Sequence, residues 1–444
     1  MFTLSGRSRS VDNAGMAKTY RPYDPDQLLL MPPALADWVP EDHLARFVSD
    51  VVDTLDLTAI EETYAEERGY PPYHPQMMVK VLLYGYCTGI YSSRRIARQL
   101  TDSVAFRFLA AGNQPDFRTV SDFRKRHGGA LTGLFQQVLR LCRRAGLVQL
   151  GQVAVDGTKI KANASKHKAM SYRRMQEADA ALSAEVAELL RRAEAADHAE
   201  DARYGPDQRG DELPAELARR ESRLAKIREA KAALEAEART QAQAAGKPPD
   251  DARPSDKAQR NFTDPESKIQ KTSDGFIQGY NAQVAVDATA QVIVAQHVTA
   301  ASPDAEQLQP AVRALLRGLH RRPRVVLADA GYWSEANVVA LQDRGIEPLI
   351  ATGRRKHSEP VPVAPRGRPP ASLTVKQRMA RTLTTRRGHA LYARRKAIVE
   401  PPFGQIKHAR GFRQFLRRGL RAVGEEWALI CTSHNLLKLY GARI

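Results

Sequence analysis

From about Glu41 to Arg143 apolar residues recur at spacings of three and four, and after Leu150 they gather into short strand-like bursts. The chain therefore reads as a helical region followed by alternating strands and helices. Leu44, Phe47, Val51 and Leu55 mark one buried helix face. A more polar stretch to Glu67 and a proline-punctuated turn, residues 68–75, lead into an apolar helix over residues 77–88. Two helices follow, 92–100 and 102–111, joined at Thr101, and a basic helix opens over residues 117–127. The arrangement is helix-turn-helix-like.

Strands are predicted over residues 152–158, 279–286, 291–298, 324–328 and 348–350, with a turn at 287–290 that makes the second and third a β-hairpin. Helices are predicted over 305–319 and 334–344, and further helices close the chain. Between the first strand and the hairpin lies a long insertion. Met175, Leu182, Val186, Leu189 and Ala193, then Leu217, Leu224, Ile227 and Leu234, follow four-three spacing on either side of a break at Tyr204, Gly205 and Pro206. This predicts an antiparallel helical hairpin, a solvated structural arm, with a flexible return over 246–260. A second irregular segment, 353–370, is basic and proline-rich, and either lies along a partner or forms a disordered loop. The expected organisation is a disordered N-terminus (1–18, with Met16 as an alternative start), an all-α domain (19–147), and an α/β domain (148–444) carrying the inserted hairpin and linker (168–262).

The net charge of +18 changes the picture, because the Arg and Lys are spread through folded-looking segments. A polyanion, with nucleic acid first, is the expected partner. Arg94, Arg95, Arg98, Arg118, Arg124 and Arg126 on the helix-turn-helix-like segment are candidate phosphate contacts, against the plainer reading of solvated arginines on a bundle. Three cysteines, odd in number and far apart, give no disulfide framework and no zinc spacing. With no membrane-length apolar run and no apolar signal core, a cytoplasmic, nucleoid-associated protein with no membrane partner is expected.

The candidate chemistry lies in three acids. Asp156 ends the first strand, Asp329 follows the fourth strand 173 residues later, and Glu400 lies 71 residues beyond that in a basic run. Strand, hairpin, helix, strand, helix, strand, helix is the order of a ribonuclease-H-like fold, which brings the first two carboxylates to one sheet edge. The fold class is thus α/β (α+β overall), a mixed-sheet core with an all-α N-terminal domain and a helical insertion. Carboxylates gathered this way suit two Mg²⁺ ions, with Mn²⁺ substituting, about 3.5–4 Å apart, for cutting a phosphodiester. Singly, Asp156 before Gly157 also reads as a turn, and Asp329 as a helix cap. Lys396, Glu400 and Lys407 share a face if their segment is helical, yet Pro401 and Pro402 predict a kink or a new helix start there.

With these motifs the chain resembles the DDE transposases of bacterial insertion sequences. Tyr392, Glu400 and Lys407 match the Tyr, Glu and Lys of their signature, and its Arg falls to Arg395 or Lys396. Residues 68–86 with 117–127 resemble the helical N-terminal domain of that family. Residues 156–163, 264–267, 279–286 and 328–332 resemble its catalytic core. The resemblance implies binding of double-stranded DNA at terminal inverted repeats, metal-dependent cleavage and strand transfer into target DNA. Asp156, Asp329 and Glu400 would bind metal, Tyr392, Arg395, Lys396 and Lys407 would position DNA, and a homodimer or larger assembly would form at synapsis. A nuclease of the same fold, or a decayed DNA-binding protein, are the alternatives. Asp304 reads as a helix cap with a possible site role, Tyr332 and Trp333 as packing or base-stacking residues, and His434 and Asn435 as structural.

Overall fold

The computed structural model describes residues 34–64, 71–204, 215–249, 252–272, 275–353 and 366–443. The expectations for residues 1–18, for Met16 and for Arg68–Gly69–Tyr70 lie outside the described residues, as does most of the basic segment 353–370.

The N-terminal region is helical, with helices over Leu44–Asp53, Thr58–Glu61, Pro75–Cys87, Ser93–Asp102, Val104–Leu109, Phe117–Arg126 and Gly128–Arg144. Local chemistry starts them. The His43 and His74 rings accept the backbone N–H of Ala45 and Gln76, with Pro75 at the first helical position, and Asp116 accepts from Thr119 N at 2.7 Å. The break expected at Thr101 falls at Ser103, whose extended backbone ends one helix and begins the next.

Among the described residues eight strands follow: β1 (Gln152–Lys161), β2 (Ala169–Ser171), β3 (Gln259–Asn261), β4 (Lys268–Thr272), β5 (Gly275–Asp287), β6 (Ile293–Thr299), β7 (Val325–Ala328) and β8 (Glu347–Ile350). In the main sheet β5 pairs antiparallel with β1 on one side and with β4 and β6 on the other. β7 pairs parallel with β1, and β8 parallel with β7. The order β6-β5-β1-β7-β8 is the mixed, ribonuclease-H-like sheet that the strand order predicts. Helices Leu308–Leu319 and Leu420–Gly441 both pack on β6. Asn435 spans the β6 backbone, accepting from Ile293 N and donating to Ile293 O, while His434 bonds to Gln291 O. Both are structural, as expected.

The insertion is a hairpin of two long helices, Tyr172–Tyr204 and Ala215–Ala244. Tyr172, Met175, Leu182, Leu224, Ile227, Ala230 and Leu234 form a small core of their own. The return segment ends in a strand that the sequence does not predict: β3 pairs antiparallel with β2 at the hairpin's base.

Candidate active site

Register delivers the first two acids. The β1–β7 ladder ends at Val155 opposite Ala328, so Asp156 and Asp329 are the next residues on neighbouring parallel strands. Asp329 Oδ1 accepts from Gly331 N at 2.8 Å and so caps a one-turn 3₁₀ helix, Ala330–Tyr332. The expected capping role is real and is short in reach. Asp156 accepts from Gly157 N at 2.8 Å on one oxygen and from Arg395 Nη1 at 2.9 Å on the other. Burial pushes the Asp156 carboxyl up to about 6; Arg395 opposes the rise and the neighbouring Asp329 adds to it.

The expected turn at Gly157 is instead strand interior. A Cβ there would collide with the side-chain amide of Gln283 and come within 2.8 Å of Asn281 Oδ1. Those two buried amides on β5 lie opposite Gly157 and Lys159 of β1. Only glycine leaves room for them.

The helix bearing the third acid lies against β1. Arg395–Gly404 is one helix that runs through Pro401 and Pro402, so no new helix starts there. Proline cannot donate to the carbonyl four residues back, so Pro401 leaves Ala397 O unpaired within the helix. Gln291 Nε2, reaching from the β5–β6 turn, donates to that carbonyl at 2.9 Å. A π turn, Gln405–Ala409, follows. There Lys407 Nζ donates to Thr158 Oγ1 at 3.0 Å and Lys159 O at 3.3 Å. This element thus touches β1 at Asp156 through Arg395 and at Thr158 through Lys407.

Glu400 lies between those two anchors in sequence, and its side chain is exposed, as is Lys396 one helical turn before it. Among the described residues no three His, Cys, Asp or Glu side chains lie close enough together to hold a metal ion. Register brings Asp156 and Asp329 together, and Glu400 completes no such three-residue cluster with them. Tyr392 is half-buried beside Arg395; burial pushes its phenol up and Arg395 opposes this. Between the two residues that compete for the signature Arg, Arg395 is buried against Asp156 and Lys396 is free of that contact.

One further acid joins this edge. Asp304, expected as a cap, makes no side-chain cap bond. Its Oδ1 accepts instead from Asn281 Nδ2 at 2.7 Å, Gln283 Nε2 at 2.9 Å and Lys159 Nζ at 3.5 Å. Tyr332 is fully buried and donates to Gln283 Oε1, which supports the packing reading over base stacking. Two polar residues at alternate positions, Asn281 and Gln283, in the otherwise apolar run 280–286 were the sequence signal for these amides.

On the helical region Arg94, Arg95, Arg98, Arg118 and Arg126 are exposed. Phe117, 37% exposed, lies between the Arg94 and Arg118 guanidiniums at 5.1 and 5.7 Å from its ring centre. Arg98 pairs with Asp102, and Arg126 donates to Thr63 O at 2.7 Å. Arg124 corrects the expectation of a phosphate contact. It is buried, and its guanidinium bonds Tyr86 Oη at 3.2 Å, Tyr91 O at 2.7 Å and Ser93 Oγ. Its neighbours on the sequence faced solvent; its own helix position faced the core.

Residues 33–126 match the family model described as Transposase domain (DUF772), and residues 247–436 match that of the Transposase DDE domain. The second match contains Asp329 and Glu400, while Asp156 precedes it across the insertion. A protein of Burkholderia cepacia described as a transposase for insertion sequence element IS402 is 42% identical over 85 residues, or 18% of this chain. The match spans 40% of that relative's length. No solved structure matches the chain. One matched transposase domain thus lies over the N-terminal helices and another over the strands and helices around Asp329 and Glu400.

Proposed function

We propose that this protein binds the terminal inverted repeats of its own insertion sequence and catalyses metal-dependent DNA cleavage and strand transfer at the Asp156–Asp329 edge. The observation that carries this is the pair of carboxylates on adjacent parallel strand ends, with Asp156 raised to about 6 by burial and by its neighbour. Two carboxylates so placed repel each other, and an oxygen-only donor set fits a hard divalent cation that would relieve the repulsion. Asp156 and Asp329 would hold Mg²⁺ or Mn²⁺, with Glu400 supplied from the adjoining helix. Two such ions, when bound, supply activation of water or a 3′-hydroxyl and neutralise the leaving oxygen.

The protein's own groups do the rest. Arg395 anchors Asp156, and Lys407 ties Thr158 and the β1 backbone to the Glu400 element. Lys396, exposed beside Glu400, is positioned for a substrate phosphate, while Tyr392 supports Arg395. Arg94, Arg95, Arg98, Arg118 and Arg126 offer charge to the duplex backbone, and each phosphate contact contributes about 0.9 to the salt slope. Synapsis of two ends calls for a homodimer or larger assembly.

The test uses a supercoiled plasmid carrying the gene with its natural flanks, incubated with protein and Mg²⁺. Nicks mapped to the flanking repeats, absent in Asp329→Asn and Glu400→Gln while binding persists, are the expected result. The exposed Glu400 favours one rival, a DNA-binding protein that does not cut. Retained binding with no nicking by the wild type, in Mg²⁺ and in Mn²⁺, would establish that rival.

A further inference from the structure

Asp304 starts a 3₁₀ turn, Ala305–Gln307, yet its carboxylate does not cap it. Asn281, Gln283 and Lys159 instead donate into Oδ1. The chain of donors has one direction: Tyr332 to Gln283, Gln283 to Asn281 and Asp304, Asn281 to Asp304, with Lys159 adding a charged donor. Asn281, Gln283 and Tyr332 are fully buried, so the relay is rigid and its end point is fixed.

The second oxygen is turned the other way. Asp304 Oδ2 and Asp329 Oδ1 flank the position a Cβ would take on Gly331, at 3.5 and 3.0 Å from it. Asn337, also buried, clips the two turns together by donating to Ala305 O at 2.7 Å and Tyr332 O at 2.9 Å. The carboxylates of Asp156, Asp304 and Asp329 all act on the same Tyr332 phenol, in addition to its burial. Lys159 meets the charge of Asp304 on Oδ1, while Oδ2 faces the Asp329 turn.

We propose that Asp304 is a positioning residue of the carboxylate edge: the amide relay fixes one oxygen and aims the other at the Asp329 turn, where its charge strengthens the hold of Asp156 and Asp329 on a divalent cation. This rests on the reading of that edge as the metal-binding site. Lys159 balances Asp304 from the opposite side and sets how much of its charge the edge feels. Residues in such supporting positions change metal affinity by about 10–100-fold when replaced.

The experiment measures Mn²⁺ binding to the full chain by electron paramagnetic resonance, without DNA, beside thermal unfolding in EDTA. Asp304→Asn keeps an acceptor for both amides and removes the charge. The expected result is Mn²⁺ binding weakened about tenfold or more with the EDTA melting temperature nearly unchanged. Unchanged Mn²⁺ affinity in Asp304→Asn, with affinity lost in Asp329→Asn, overturns the proposal alone. A melting temperature that falls in step with affinity overturns it in favour of a merely structural role. If the wild type binds no Mn²⁺, or Asp329→Asn binds it normally, the metal-site reading itself fails and takes the proposal with it. Should Asp304→Asn not fold, Lys159→Met replaces it: higher Mn²⁺ affinity is expected, and equal or lower affinity overturns the proposal.

Discussion

Asp156 ionises late because it is taken from water beside another acid, and this has a direct consequence for cation binding. A carboxyl with a proton on it cannot ligate, so protons and metal compete for Asp156. With its value at about 6, Mn²⁺ affinity should rise roughly tenfold per pH unit up to about pH 6 and level off above it. A titration of affinity that is flat from about pH 5 to 7 would rule out Asp156 as a ligand. Gly157 makes a steric prediction. The Gln283 amide it faces is pinned by Asn281, Asp304 and Tyr332 and cannot swing aside, so Gly157→Ala should cost about 1–3 kcal/mol in urea unfolding. Arg124 and Arg94 separate the two fates of an arginine. Arg124→Ala should lose about 2 kcal/mol of stability, since its buried partners are left unpaired, and keep the salt slope of DNA binding. Arg94→Ala should keep stability and lower the slope by about 0.9. The reverse assignment would mean that the exposed arginines are not the DNA face. At this scale the sequence was legible where a strand pattern ended in an acid, as at Asp156 and Asp329. It was silent where one residue type serves two environments: Arg124 reads like Arg94, and Asp304 reads like any helix cap.

Elements were legible where apolar residues repeat at one period and hidden where pairing is made by polar residues. The β5–β6 hairpin and β7 stand out in sequence because they are buried runs, and β8 is short but apolar. β4 (Lys-Ile-Gln-Lys-Thr) and β3 (Gln-Arg-Asn) are polar and β2 is only three residues long, so all three were missed, since their pairing rests on backbone bonds that any residue can make. The helix through Pro401 and Pro402 was misread for a related reason: the compensating donor, Gln291, is 106 residues away. The ladder at the base of the hairpin leads to a deletion test. Ser171 lies opposite Gln259, so a two-residue Asn-Gly turn can join β2 to β3 in place of residues 172–258. The hairpin's apolar core is separate from the main one, and its ties to Arg260 and Lys268 are partly exposed ion pairs of Glu237, about 0–1 kcal/mol each. The shortened protein should therefore melt cooperatively within a few degrees of the full chain. Loss of a cooperative transition would show that the arm is part of the fold's foundation.

The sequence divides the molecule at about residue 147, and the packing does not. The main apolar core is continuous from Val39 in the N-terminal helices, through the sheet, to Leu436 in the last helix. Helix Leu420–Gly441 joins the two regions: it packs on Pro75–Cys87, on Gly128–Arg144 and on β6. Its fully buried backbone carbonyls at Ser433 and Asn435 meet the thiols of Cys87 and Cys142. Tyr440 packs on Phe47 with ring centres 5.3 Å apart and donates to Asp42 O at 2.7 Å. Phe412, just past the Glu400 element, sits 4.4 Å from Tyr91 and 5.6 Å from Tyr86. A boundary drawn from a change of hydrophobic period cannot register such contacts, because they join residues from 293 to 398 positions apart. The physical consequence is shared cooperativity. Residues 34–147 alone would expose the apolar faces that the last helix covers, and removal of residues 420–444 would uncover both regions at once. The full chain should give one calorimetric transition for helices and sheet, and the isolated N-terminal fragment no cooperative melt. If that fragment instead unfolds sharply at a temperature of its own, the helical region is an independent domain and its arginines are free to move relative to the acids. If it does not, the exposed arginine face and the Asp156–Asp329 edge stand at a fixed separation, and a bound duplex must satisfy both in one pose.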